Sequence, residues 1–254
     1  MTDGALDRRA MRKRGLLRRV GEEPSAATAR AGPATARRLR RVNWAAATAF
    51  LLGGLLFAVG AALAQAGVSP TACSSVYLVG GAFFSSGGYA TVLQAVNGPR
   101  EVGPDGALST GRWRWWAAEP GRIEWMSAVA LFLGTIVFAI NIVDSFIEEL
   151  SPRAADRLVW SPDVVGCVLF LLSGHLAMRE MGGWLRRPRD LGWGIVAVNQ
   201  LGSFLFMASA VASFVKPATG AEVAIGVANW GTLAGALCFA VGGLMQEFER
   251  PEAA

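Results

Sequence analysis

The sequence predicts an all-α, polytopic membrane protein: a six-helix transmembrane bundle arranged as three tandem helical hairpins. Three observations predict it. Hydrophobic residues make up 53% of the chain and charged residues 17%, against about 25% charged in an ordinary soluble domain. The deficit is local: no Asp, Glu, Lys or Arg occurs over 42–99, 125–143, 191–215 or 223–246. A hydrocarbon core takes about 20 apolar residues as a helix, and these stretches match or exceed that length.

Residues 1–42 form a basic, Ala-rich tail with twelve Lys or Arg against four acids. No apolar period runs through 21–32, which predicts disorder there. A short helix over 7–20 would lay Leu16, Leu17 and Val20 on anionic lipid headgroups. Nucleic-acid binding is the weaker reading of this tail, because positive charge beside a membrane span is already explained by topology.

The charge-free run 42–99 is too long for one helix at 1.5 Å per residue. Gly67, Ser69 and Pro70 supply a break, so the run reads as a tight hairpin with spans over 44–66 and 76–96. Four further spans follow over 123–146, 159–178, 191–215 and 221–246, giving a membrane domain over 43–248 and a short C-terminal segment over 249–254. A cleavable signal over the first span, with Ala62-Leu63-Ala64 as the cleavage site, is disfavoured by the long apolar region and long basic leader.

Orientation follows from the positive-inside rule. With the N-terminus inside, twenty-one Lys and Arg fall in inner segments and only Arg153, Arg157 and Lys216 in outer ones. The expected location is a bacterial plasma membrane with both termini cytoplasmic; the Ala- and Arg-rich composition points to a bacterium. Trp44, Trp125 and Trp193 fall at inner ends and Trp160 at an outer end, the headgroup level that indole prefers. Trp113, Trp115 and Trp116 alternate with Arg112 and Arg114 in an inner loop, an anchoring pattern that could also bind headgroups.

A Gly followed four residues later by Phe occurs once in every proposed span: Gly53/Phe57, Gly80/Phe84, Gly134/Phe138, Gly166/Phe170, Gly202/Phe206 and Gly235/Phe239. Composition alone predicts fewer than two such coincidences from 31 Gly and 13 Phe. A small or amide residue lies three beyond each Phe: Gly60, Gly87, Asn141, Ser173, Ser209 and Gly242. The spacing puts the three on one helical face. Small residues let backbones approach, and packing of this kind must hold helices together where lipid removes the hydrophobic drive. The alternative is a pore or ligand groove lined by these faces.

The motif of Trp, an apolar run, then Gly-Ser/Ala-x-x-Phe-x-x-Gly resembles the YrhK-like membrane domain, a bacterial family of unassigned function whose unit is about two helices. Gly202-Ser203-Phe204-Leu205-Phe206 and Gly235-Ala236-Leu237-Cys238-Phe239 carry the resemblance best. It covers the membrane part, implies an internal-repeat protein, and brings no activity with it.

Ionisable groups in a membrane are functional candidates by default. On the outer side Asn141, Asp144, Asp163, Glu222 and Asn229 could form a polar cluster that binds a cation or protonates. Asp163 follows Ser161 and Pro162, which reads as a capped helix start, and Asp144 could simply sit in headgroup water beside Arg153 or Arg157. On the inner side His175, Asn199 and Gln200 could hydrogen-bond across helices or relay a proton. Cys73, Cys167 and Cys238 are widely spaced and His175 is the only His, so neither a metal site nor a cofactor is expected. No Walker, HExxH or GxSxG motif occurs.

The leading expectation is a non-enzymatic helical-hairpin protein with the lipid bilayer as its partner, and a homo-oligomer is compatible with it. A small transporter or channel for a cation or small solute is the runner-up, and a lipid-acting membrane enzyme the third reading.

Overall fold

The computed structural model describes residues 17–19, 33–98, 101–102, 108–109, 112–147, 150–183 and 191–251. Seven α-helices account for almost all of it: α1 Pro33–Gln65, α2 Pro70–Val96, α3 Ile123–Asp144, α4 Pro152–Ala155, α5 Ser161–Glu180, α6 Leu191–Ala212 and α7 Ile225–Glu247. A π-helical turn, Asp156–Trp160, joins α4 to α5, so that Pro152–Glu180 crosses as one unit. Six helical stretches are long and apolar enough to span a membrane, and the protein is a six-helix transmembrane bundle. The strands are very short. β1 Leu17–Arg19 pairs antiparallel with β4 Glu249–Pro251, and β2 Glu101–Val102 with β3 Leu108–Ser109.

Each span packs on its neighbours in the sequence, and α7 returns to α1, closing a ring. Both described chain ends therefore lie at one end of the bundle, called basal below; the opposite end is distal. Large apolar side chains such as Leu55, Val59, Val79, Leu133, Ile140, Leu201 and Phe204 are exposed around the outside, the surface that lipid must cover. The ring closes tightly because α1 and α7 touch by backbone. A Cβ on Gly54 would stand 2.7 Å from the Ala240 nitrogen, and one on Gly243 would stand 2.6 Å from the Leu51 nitrogen.

Several boundaries differ from the sequence expectation. α1 starts at Pro33, inside the region assigned to the tail: Pro suits the first turn, and the Ala and Arg that follow favour helix. α2 starts at Pro70 rather than at 76, because Ser69 caps it and accepts from the Ala72 N–H at 3.4 Å. The turn between them is allowed by Gly67, whose φ is +76°.

The start of the fourth span also moves. Ser161 does not cap it. Trp160 and Ser161 are already helical, and the Ser161 hydroxyl donates back to the Asp156 carbonyl at 2.7 Å. Ser151 and Pro152 make the N-terminus instead, which leaves Asp163 inside a continuous helical span. Residues 213–224 form a turn with a bridge from Val215 to Glu222 rather than helix ends, so α6 and α7 are shorter than their apolar runs. Leu17–Arg19 are extended, not helical. The rest of the expected 7–20 helix and the expected disorder over 21–32 lie outside the described residues.

Candidate functional site

The six motif glycines and phenylalanines meet across helix pairs. A Cβ on Gly53 would stand 2.7 Å from Phe84, and one on Gly80 2.7 Å from Phe57. Gly134 bears the same relation to Phe170 and Gly166 to Phe138, at 2.6 and 2.5 Å. Gly202 faces Phe239 at 3.0 Å and Gly235 faces Phe206 at 2.8 Å. Each glycine thus holds the ring of the partner helix, in three reciprocal pairs: α1 with α2, α3 with α5, and α6 with α7.

The rings then converge on the bundle axis. Phe57–Phe84, Phe84–Phe239, Phe206–Phe239, Phe138–Phe170 and Phe170–Phe239 have centroids 5.2, 5.5, 5.5, 5.1 and 5.6 Å apart, within the range of favourable aromatic pairs. The void left in this phenyl layer is about 10 Å³, too small to carry a continuous file of water.

On the basal side of that layer lies a cavity of about 70 Å³ with a polar wall. Phe50, Phe170 and Phe239 border it, and Thr91, Glu124, Ser127, Ser173, Glu180, Asn199, Ser203 and Gln246 bring polar groups to it. Ser127 and Ser173 each donate a hydroxyl to the other's carbonyl, at 2.9 and 2.8 Å, locking α3 to α5. Glu124, in the first turn of α3, is held by Arg122 through Nε at 2.7 Å and by a second guanidinium contact at 2.5 Å. Ser203 donates to the Asn199 carbonyl at 3.0 Å.

The Asn199 Oδ1 is buried and accepts no hydrogen bond among the described residues; it lies against Gly242, where a Cβ would push the amide aside. The Gln200 Oε1 likewise lies against Gly174 without a donor, while its Nε2 donates to the Leu171 carbonyl at 3.4 Å. Asn199 therefore belongs to the chamber and Gln200 to the adjoining α5–α6 contact. His175 does not join them: it is exposed on the outside of α5. It follows Gly174 by one residue, which on a helix turns it about 100° away from the chamber.

No hydrogen bond joins any two of the five distal candidates among the described residues. Asn141 donates its Nδ2 to the Val159 carbonyl at 2.9 Å, tying α3 to the π-helical turn. Asp144 is half-buried and pairs with neither Arg153 nor Arg157. Asp163 is half-buried on α5. Asn229 is half-buried on α7, and Glu222 sits in the α6–α7 turn, where burial pushes its carboxyl above the usual range.

Two basal networks escaped the sequence reading. Asn43 Oδ1 accepts from Gln94 Nε2 at 3.0 Å and from Gln246 Nε2 at 2.9 Å, while its Nδ2 donates to the Gln246 carbonyl at 3.0 Å. The three amides are buried and join α1, α2 and α7. Their signal was an amide at the inner end of three otherwise apolar spans.

The second network caps α2. Arg114 Nη2 donates to the Val96 carbonyl at 3.0 Å and Arg122 Nη1 to the Ala95 carbonyl at 3.1 Å, with Glu119 bridging both guanidiniums. Cations suit a helix C-terminus. Arg114 is thus committed to helix capping, while Trp115 and Trp116 remain exposed.

Among the described residues no group of three or more His, Cys, Asp or Glu gathers as metal ligands. The three cysteines are free thiols. No family model, no curated protein and no solved structure matches the chain.

Proposed function

We propose that this chain is a non-enzymatic, multi-pass membrane protein whose basal chamber binds a small cation or a compact hydrogen-bond donor. One observation carries the reading. A buried amide oxygen without a donor, Asn199 Oδ1, borders a cavity together with serine hydroxyls and the carboxylates Glu124 and Glu180. Such oxygens, set in an otherwise largely apolar wall, suit hard cations and ammonium-like donors. A chamber of about 70 Å³ has room for a small ion or a few waters. The phenyl layer supports a closed binding protein rather than an open pore.

The Lys and Arg asymmetry supports a cytoplasmic basal end, in a bacterial plasma membrane. The three reciprocal Gly/Phe pairs support a repeated-hairpin architecture. The basic tail is read as lying on anionic lipid.

Calorimetry on the full chain in detergent, with ammonium, sodium and potassium chlorides in turn, tests the chamber. Saturable binding of one of them, lost in Asn199→Leu, is the expected result. Equal heats from the wild type and the variant with all three would sink it. Transport is the second reading, favoured by the position of the chamber directly beneath the phenyl layer. It requires that layer to part, and it predicts cation flux in proteoliposomes that Asn199→Leu abolishes.

A further inference from the structure

We infer that the basal end carries a specific site for the phosphate headgroup of an anionic phospholipid, in the cleft between the N-terminal part of α1 and the loop around Trp113. The cleft has a volume of about 540 Å³ and is bordered by Arg37, Arg38, Arg41, Val42, Trp113 and Trp115. That volume falls within the range of small-molecule sites. Among the described residues, three guanidiniums and no carboxylate line it.

The helix dictates this convergence. Ala34, Arg37, Arg38 and Arg41 follow the spacing i, i+3, i+4, i+7 and share one face of α1. The methyl of Ala34 leaves room where a longer side chain would fill the cleft. A guanidinium presents a rigid fork of donors that matches two oxygens of a phosphodiester.

The opposite wall is preformed. Trp113 and Trp115 stand edge to face with centroids 5.8 Å apart, and the Arg38 guanidinium lies 5.6 Å from the Trp113 centroid. The Trp115 carbonyl accepts from the Tyr89 hydroxyl at 3.0 Å. The residue between the two indoles, Arg114, donates its N–H to Asn97 Oδ1 at 2.8 Å. The wall is thus tied to the end of α2, and little ordering is left for a ligand to impose. Arg41 also borders a neighbouring cavity, lined as well by Arg40, Glu247 and Glu249.

A lipid, rather than a soluble anion, fits the surroundings. Trp44, Trp115 and Trp116 are more than half exposed at this end, the placement of indoles at the headgroup level, and α1 enters its apolar span directly after Arg41. The inference depends on the membrane reading but not on which face is cytoplasmic.

Native mass spectrometry of the full chain, released from detergent micelles carrying phosphatidylglycerol or phosphatidylcholine, tests it. The expected result is one retained phosphatidylglycerol, preferred over phosphatidylcholine by about tenfold or more and lost in R37Q/R38Q/R41Q. R8Q/R9Q/R12Q, which removes equal charge from the tail, should retain it. In the same micelles brominated phosphatidylglycerol should quench tryptophan fluorescence more than brominated phosphatidylcholine does, and W113F/W115F should remove the difference without unfolding the chain. Micelles have no sidedness, so a reversed topology would leave these results unchanged. Retention by R37Q/R38Q/R41Q at the wild-type level overturns the site. Equal loss in the tail variant assigns the effect to bulk charge, and displacement of the lipid by millimolar inorganic phosphate assigns it to a soluble anion; either also overturns it.

Discussion

Gly134 and Phe170 are in direct contact across the α3–α5 pair: a Cβ on the glycine would stand 2.6 Å from Phe170 Cδ1 and 3.3 Å from the Gly166 carbonyl oxygen. Because backbone as well as ring closes the space, neither helix can yield without moving the other. Gly134→Ala should therefore destabilise the detergent-solubilised protein by about 1–3 kcal/mol, the usual cost of overpacking. Gly226→Ala, with nothing within 4 Å of its Cβ position, should be close to neutral. Thermal unfolding of the two variants side by side checks this. In the double variant Gly134→Ala/Phe170→Leu the two losses should fall short of adding, because the smaller side chain relieves part of the clash.

The amide group of Asn43 gives a second prediction. It makes four hydrogen bonds, to Gln94, to Gln246 twice and to the Glu249 carbonyl. Asn43→Leu strips donors and acceptors from two buried glutamines at once. Bonds between membrane helices average about 0.6 kcal/mol each, with larger costs where a partner is left unsatisfied. The variant should lose about 1–3 kcal/mol by those figures. Limited proteolysis should also cut first near β4, because the Glu249 carbonyl is no longer held. Unchanged melting and an unchanged cleavage pattern would show that the triad contributes nothing.

These two sites differ in how far the sequence announced them. Spans were legible because lack of charge over bilayer length has one physical explanation, and the Gly/Phe spacing was visible within each helix. The pairing was not: Gly53 meets Phe84 rather than its own Phe57, and no local pattern says which neighbour a notch will hold. Asn43, Gln94 and Gln246 sit on three spans far apart in the chain, so only ring closure of α7 on α1 brings them together. His175 was misplaced for the opposite reason. It was grouped with Asn199 by depth along the span, but helical phase, not depth, decides which face a side chain takes. The early start of the fourth span depended on Ser151 and on the Asn141 amide reaching the Val159 carbonyl, a tertiary contact.

Glu222 provides a prediction in pH. It lies outside the spanning helices, and burial holds its carboxyl pKa above the ordinary range in the folded protein. The unfolded chain then releases its proton first as pH rises. Its contribution to stability is full below the unfolded pKa and is lost as pH climbs to the folded value. Glu222→Gln removes that loss. The variant should match the wild type in acid and exceed it at neutral and alkaline pH. The checking measurement is melting temperature against pH for both proteins, and parallel curves across the whole range would contradict the assignment.

The sidedness of the bundle gives the last prediction. Val68 lies in the distal turn between α1 and α2, and Ala118 in the basal loop before α3; both are exposed. With Lys and Arg concentrated at the basal end, that end should face the cytoplasm. In a background where Cys73, Cys167 and Cys238 are replaced by Ala, Val68→Cys should react with a membrane-impermeant maleimide added to intact cells. Ala118→Cys should react only after the membrane is opened. The reverse pattern would turn the bundle over and place the Asn199 chamber on the outer side. Labelling of both positions from outside would mean that α2, the one spanning helix between them, does not cross the membrane, in conflict with its length and apolar character.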